Sequence, residues 1–110
     1  MPMLVLISQQ GPLPISAPFT APSDDNAVLL ITGSVWTQTP NSMIGIEVFL
    51  DGNSLGTAQI FANPSGVHLP VVPVILPVKL SYGAHKIVLA QSTPPTTCDT
   101  NDYYTVTLMY

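Results

Sequence analysis

Several short stretches of this chain alternate apolar with polar or small residues, the period of two expected of strands that bury one face. The clearest is Met43 to Leu50, where Ile44, Ile46, Val48 and Leu50 share one side and Gly45, Glu47 and Phe49 the other. Asp51-Gly52-Asn53 is a turn signal between that run and Ser54–Ala62, which predicts a β-hairpin. Tyr103–Tyr110 closes the chain with Tyr104, Val106, Leu108 and Tyr110 on one face. Between Ala84 and Ala90, Ile87 and Leu89 are expected to face inward, with Lys86 and Val88 outward.

Other stretches break this simple alternation. A first strand is expected over Met3–Ile7, stopped by Gln9-Gln10-Gly11-Pro12. Residues 13–20 are extended, and their prolines confine them to an edge or a connection. In the run from Ala27 to Thr39, Leu29, Ile31 and Val35 oppose Val28, Leu30 and Trp36, so a central strand covered on both faces is expected, with a bulge at Gly33. Residues 68–80 carry Pro70, Pro73 and Pro77, which excludes a helix interior and predicts an edge strand or an extended crossover. Residues 91–102 form the longest polar loop. Twelve prolines spread along 110 residues leave little room for helix. With no repeat and no linker, residues 1–110 are read as one domain. The expected fold is all-β, a two-sheet antiparallel β-sandwich of the jelly-roll type with roughly eight strands.

Composition adds a constraint on the surface. Charged residues make up 7% of the chain, against roughly 25% in an average soluble protein. The surface must then be built from neutral polar residues, or be covered by other copies, because stable interfaces are poor in charge. A homo-oligomer is the expectation. Six acids stand against Lys79 and Lys86, for a formal charge of −4. Two lysines cannot neutralise a phosphate backbone, so no nucleic-acid partner is expected. Cys98 is the single cysteine, which excludes an intrachain disulfide. The apolar start lacks a basic n-region and a small-residue cleavage site, so no signal peptide is recognised. No stretch reaches the ~18 apolar residues of a spanning helix. We expect a soluble chain of open location, with an extracellular or particle-associated place reached by another route among the alternatives.

Candidate chemistry is sparse. His68 and His85 are the two histidines, no nucleophile-elbow motif is present, and Cys98 sits beside Asp99 without a cationic neighbour. Glu47 lies on the alternate face of its strand, where a solvated carboxylate is the common outcome. We therefore expect no enzyme, no catalytic residue and no cofactor. Asp99, Asn101 and Asp102 place oxygen ligands near one another, as a calcium ion would accept, yet a turn capping the last strand explains them equally well. A sugar site needs an aromatic ring and a few polar groups for hydroxyls. Trp36 is the leading platform, with Tyr82, Tyr103 and Tyr104 as alternatives and His68, Asn101 and Asp102 as polar partners. The same aromatics are equally suited to core or subunit packing.

Two families are suggested by particular strings. The hairpin IEVFLDGNSLGTAQ and the later LSYGAHKIVLA resemble strings of bacterial immunoglobulin-like adhesin domains. The same strings, with the closing YYTVTLMY, resemble tumour-necrosis-factor-like trimeric jelly rolls of phage and bacterial proteins. The stretch from Val67 to Leu80 is longer and richer in proline than an immunoglobulin-like domain would place there. The second resemblance implies a three-fold assembly packed through apolar and aromatic residues. From these readings the expected function is a non-catalytic binding or assembly module, a homotrimer presenting its loops to a glycan or a cell-surface protein. The alternative is a lectin-like domain holding sugar near Trp36 and the 96–103 loop.

Overall fold

The computed structural model describes residues 2–110. Nine strands occur among them: β1 (Met3–Gln10), β2 (Ile15–Ala21), β3 (Asp25–Val35), β4 (Ser42–Leu50), β5 (Asn53–Ala62), β6 (Leu69–Pro70), β7 (Val74–Leu80), β8 (Gly83–Gln91) and β9 (Tyr103–Met109). They form two antiparallel sheets. The first runs β1-β9-β3, with β7 and the short β6 both paired to the far side of β3, and the second runs β2-β8-β4-β5. The fold is an all-β jelly-roll sandwich, as the alternation implied.

The hairpin β4–β5 forms because Asp51 and Gly52 take positive φ of 50° and 85°, the type I′ geometry whose twist matches the flanking strands. Leu50 then pairs with Asn53, and a register shift follows between Val48 and Phe49. The proline-bearing strands stand where a missing N–H costs least. β2, with Pro18, is the edge of the second sheet, and β7, with Pro77, is an edge of the first. Of the two alternatives for residues 68–80, the structure shows the edge: β6 and β7 both pair with β3 in the first sheet.

Between the sheets lie Leu29, Ile31 and Val35 of β3, Ile44, Ile46 and Val48 of β4, Ile87 and Leu89 of β8, and Tyr104, Val106 and Leu108 of β9. Two expectations need correcting here. Gly33 is not a bulge: the β3–β9 register runs unbroken from Val28 to Gly33. A Cβ at Gly33 would lie 2.5 Å from the Tyr104 ring and 2.8 Å from Ile46, so glycine is present to let the buried tyrosine close down. Tyr104 is therefore a core residue and no stacking platform. Its burial pushes the phenol pKa well up. The second correction concerns β3, which is central but not covered on both faces. Val28 and Leu30 point outward and are half-exposed.

That outer face is uncharged over most of its length. Rows Met3–Met109–Val28–Pro77 and Val5–Thr107–Leu30–Ile75 run across it, followed by Ser8–Thr105–Thr32. Met3, Val5 and Ile75 are exposed on it. The first and last strands pair with each other, and Tyr110 N–H donates to the Pro2 carbonyl at 3.0 Å. No helix among the described residues is long and apolar enough to cross a membrane.

Candidate functional site

At the end of β3 the strand delivers Val35 into the core and leaves Ser34 and Trp36 on the opposite side. The backbone of Trp36 is fixed by a two-way bridge to Thr97, with N···O distances of 2.9 and 2.7 Å. The 91–102 loop that carries Thr97 is not loose. Ser92 N–H donates to the Gly45 carbonyl, the Thr93 hydroxyl donates to the Met43 carbonyl, and the buried Thr96 hydroxyl accepts from Gly45 N–H. Its far end is a tight turn. Asp99 accepts through its side chain from Asn101 N–H and through its carbonyl from Asp102 N–H. The β1–β2 crossing packs beneath, where Gly11 N–H donates to the Asp102 carbonyl and Leu13 N–H to the Cys98 sulfur at 3.1 Å. Cys98 thus serves as a local acceptor.

Asp102 is fully buried at the centre of this end. Its Oδ1 accepts from the Ser34 hydroxyl at 2.7 Å and from His68 Nδ1 at 2.7 Å, and its Oδ2 accepts from Asp99 N–H at 2.9 Å. His68 reaches in from the segment before β6. Its Nε2 lies 3.8 Å from Asp99 Oδ2, and its ring leans on Trp36 at 5.6 Å between centroids. The hydrogen bond to Asp102 raises the imidazole pKa, against the opposing effect of its partial burial. The Trp36 indole N–H is buried without a hydrogen-bond partner among the described residues. What the half-buried ring presents outward is therefore carbon.

The chain shares its jelly-roll sandwich with carbohydrate-binding modules. A family 35 carbohydrate binding module from Clostridium thermocellum superposes with a TM-score of 0.55 at 8% identity, covering 96% of this chain and 90% of that one. The EclA C-terminal domain, described as a sugar-binding protein, gives 0.52 at 8% identity over 97% and 76%. Dimeric latent PorU from Porphyromonas gingivalis gives 0.57 at 8% identity, but the match spans only 11% of that larger chain. No family model matches the sequence, nor does any curated protein.

Of the residues singled out from sequence, the fold gathers Trp36, His68 and Asp102, with Asp99 beside them. Asn101 sits exposed at the tip of the turn, held by its backbone. Tyr103 turns onto the outer sheet face, where its hydroxyl bonds Ser8 at 2.7 Å. Ser34 was not anticipated, although its place two residues before Trp36 on a strand puts both on one face. Donor atoms of His68, Asp99 and Asp102 lie within 4.8 Å of one another. They fit calcium poorly. Both Asp102 oxygens already accept hydrogen bonds, and an imidazole is not the oxygen ligand a hard cation selects.

A second histidine–aspartate pair went unnoticed in the sequence. At the opposite end of the sandwich, His85 Nδ1 lies 2.6 Å from Asp51 Oδ2 and Nε2 lies 2.7 Å from the Ser81 carbonyl. A carbonyl can only accept, so Nε2 carries a proton. The Asp51 partner raises the His85 pKa, and the bond to His85 lowers that of Asp51. A cavity of about 530 Å³ adjoins the pair, lined by Asp24, Leu50, Asp51, Lys79, Leu80, Ser81 and His85.

Proposed function

We propose that this chain is a non-catalytic carbohydrate-binding module that holds a sugar at the Trp36 end. One observation carries the reading: Trp36 exposes carbon beside His68, and His68 is held by buried Asp102 and flanked by half-exposed Asp99. An aromatic surface takes the C–H face of a pyranose, while an imidazole and a carboxylate exchange hydrogen bonds with its hydroxyls. In this arrangement Trp36, His68 and Asp99 touch the sugar. Asp102, with no exposed surface, positions His68. The fold shared with the Clostridium thermocellum module and with the EclA sugar-binding domain supports the same class. Catalysis is disfavoured because Asp102 is already occupied by three donors and Cys98 accepts from Leu13 N–H.

The test is retention on immobilised xylan, cellulose and laminarin, followed by a glycan array. Binding to at least one glycan is expected, with about ten-fold or greater loss on Trp36→Ala and an unchanged circular dichroism spectrum. Equal binding by wild type and Trp36→Ala would overturn the reading.

Self-association is a second reading, favoured by the uncharged outer face of the first sheet, and its occupant is another copy of this chain. Four strands of about seven residues span roughly 450 Å² in projection, over half of the ~800 Å² per partner in a standard interface. The mass by light scattering decides: two or three chains support it, and a monomer rejects it. If an oligomer forms, Val5→Lys should dissociate it.

A further inference from the structure

The cavity at the His85 end has the makings of a binding site in its own right. Three turns converge there: Asp24 before β3, Asp51 between β4 and β5, and Ser81 between β7 and β8. They are tied to each other by side chains. Asp24 Oδ1 accepts from Tyr82 N–H at 2.6 Å, Asp51 Oδ1 accepts from Lys86 N–H at 2.9 Å, and His85 bridges Asp51 to the Ser81 carbonyl. The His85 ring is also stacked on Phe19, at 5.5 Å and 28° between planes. The walls are therefore preorganised, which spares a ligand the cost of ordering them.

This scaffold holds Tyr82 at the tip of the β7–β8 turn with 70% of its surface in water. No core contact accounts for an aromatic kept there. Lys79, in the cavity wall, forms no salt bridge among the described residues. Formal charges cancel: Asp24 and Asp51 oppose Lys79 and a His85 that donates through both ring nitrogens. A cavity with balanced charge does not select a phosphate, a polycation or an acidic peptide. It suits a neutral ligand with many hydroxyls, using carboxylates as acceptors and an ammonium as donor, with the exposed Tyr82 on the neighbouring turn within the same loop cluster.

We propose that the Asp24–Asp51–Lys79 cavity, with Tyr82 exposed on the turn next to it, is a second saccharide site. It rests on the reading of the chain as a glycan-binding module but uses none of the residues of the Trp36 end. Asp24 precedes β3 and Trp36 follows it, so the strand rise separates the sites by roughly 35–40 Å, within a molecule 44 Å long. One chain then engages two glycan strands from opposite ends and links them.

The experiment is a titration of the ¹⁵N-labelled full chain with xylohexaose, cellohexaose and laminarihexaose, each to roughly 10 mM. Backbone amides of Gly83, His85 and Lys86 report one end, and those of Thr97, Cys98 and Asn101 the other. With at least one sugar, both sets are expected to shift. Tyr82→Ala and, separately, Lys79→Gln should raise Kd at the Gly83–Lys86 reporters by about ten-fold and leave the Thr97–Asn101 reporters unchanged. Shifts confined to Thr97–Asn101 would overturn the second site and leave the Trp36 reading intact. Shifts confined to Gly83–Lys86 would support the second site and overturn the Trp36 reading. Silence at both sets with all three sugars would overturn both.

Discussion

The two ends of the sandwich each pair a histidine Nδ1 with an aspartate, at 2.7 Å for His68–Asp102 and 2.6 Å for His85–Asp51. Their exposures are inverted. Asp102 has no exposed surface while the His68 side chain keeps 35%, whereas His85 keeps 10% and Asp51 keeps 45%. At the Trp36 end the acid is the anchor and the imidazole faces outward. At the other end the imidazole is the anchor, locked by Ser81 and Phe19, and the carboxylate faces outward. The same pair thus presents opposite chemistry according to which partner the fold buries.

The sharpest way to break the comparison is to remove each acid. Asp102→Ala leaves Ser34, His68 and Asp99 N–H without their acceptor in a dry site, and should lower unfolding free energy by about 3 kcal/mol. Asp51→Asn keeps a residue that tolerates the positive φ of the turn and removes only the charge of an acid in contact with water, and should cost under about 1 kcal/mol. Urea denaturation of both variants checks this, and equal losses would contradict the inversion. Next in size, Gly33→Ala forces a Cβ against the Tyr104 ring and should cost about 1–3 kcal/mol. Chemical shifts should then change at Ser34 and Trp36 and stay fixed around His85.

A pH series sharpens the comparison further. The folded pKa of His85 is raised, so its contribution is complete below the ordinary value of 6.5 and is lost as pH rises through the raised one. Asp51 is lowered, so its contribution is complete above 3.8 and is lost as pH falls through the lowered value. The stability difference between wild type and Asp51→Asn should therefore peak between pH 3.8 and 6.5 and shrink on either side. His68 shifts in the same direction, and His68→Gln should lose its penalty as pH rises through the raised value. The smallest effect is expected for Tyr82→Ala, within about 0.5 kcal/mol, because its ring packs on little. A larger loss in thermal denaturation would make that ring structural.

Much of this architecture could be read from residue order. The Asp51-Gly52 turn, the alternation in β4 and β9 and the prolines of β2 and β7 each obey a local rule, and the structure places them accordingly. Trp36, His68 and Asp102 could be named because aromatic and polar residues are few. Their grouping depends on β3 and β9 being neighbours, which no local pattern states. The His85–Asp51 pair was hidden for a related reason: Asp51 already had a full explanation as a turn residue, and its partner lies 34 positions away. Gly33 was misread because a glycine in a strand can signal either an irregular backbone or a bulky neighbour. Only the register with Tyr104 decides between them.

The hydrogen-bonded meeting of Pro2 and Tyr110 sets the start of β1 beside the finish of β9 at one end of the first sheet. A short bridging peptide could join them, and the chain could be reopened at the Asp51-Gly52 turn with every strand keeping its neighbours. Connected in that order, or spliced as a cassette into a surface loop of a carrier, the domain would be grasped at its Met3–Met109 end. Its Trp36 pole would then project away from whatever holds it.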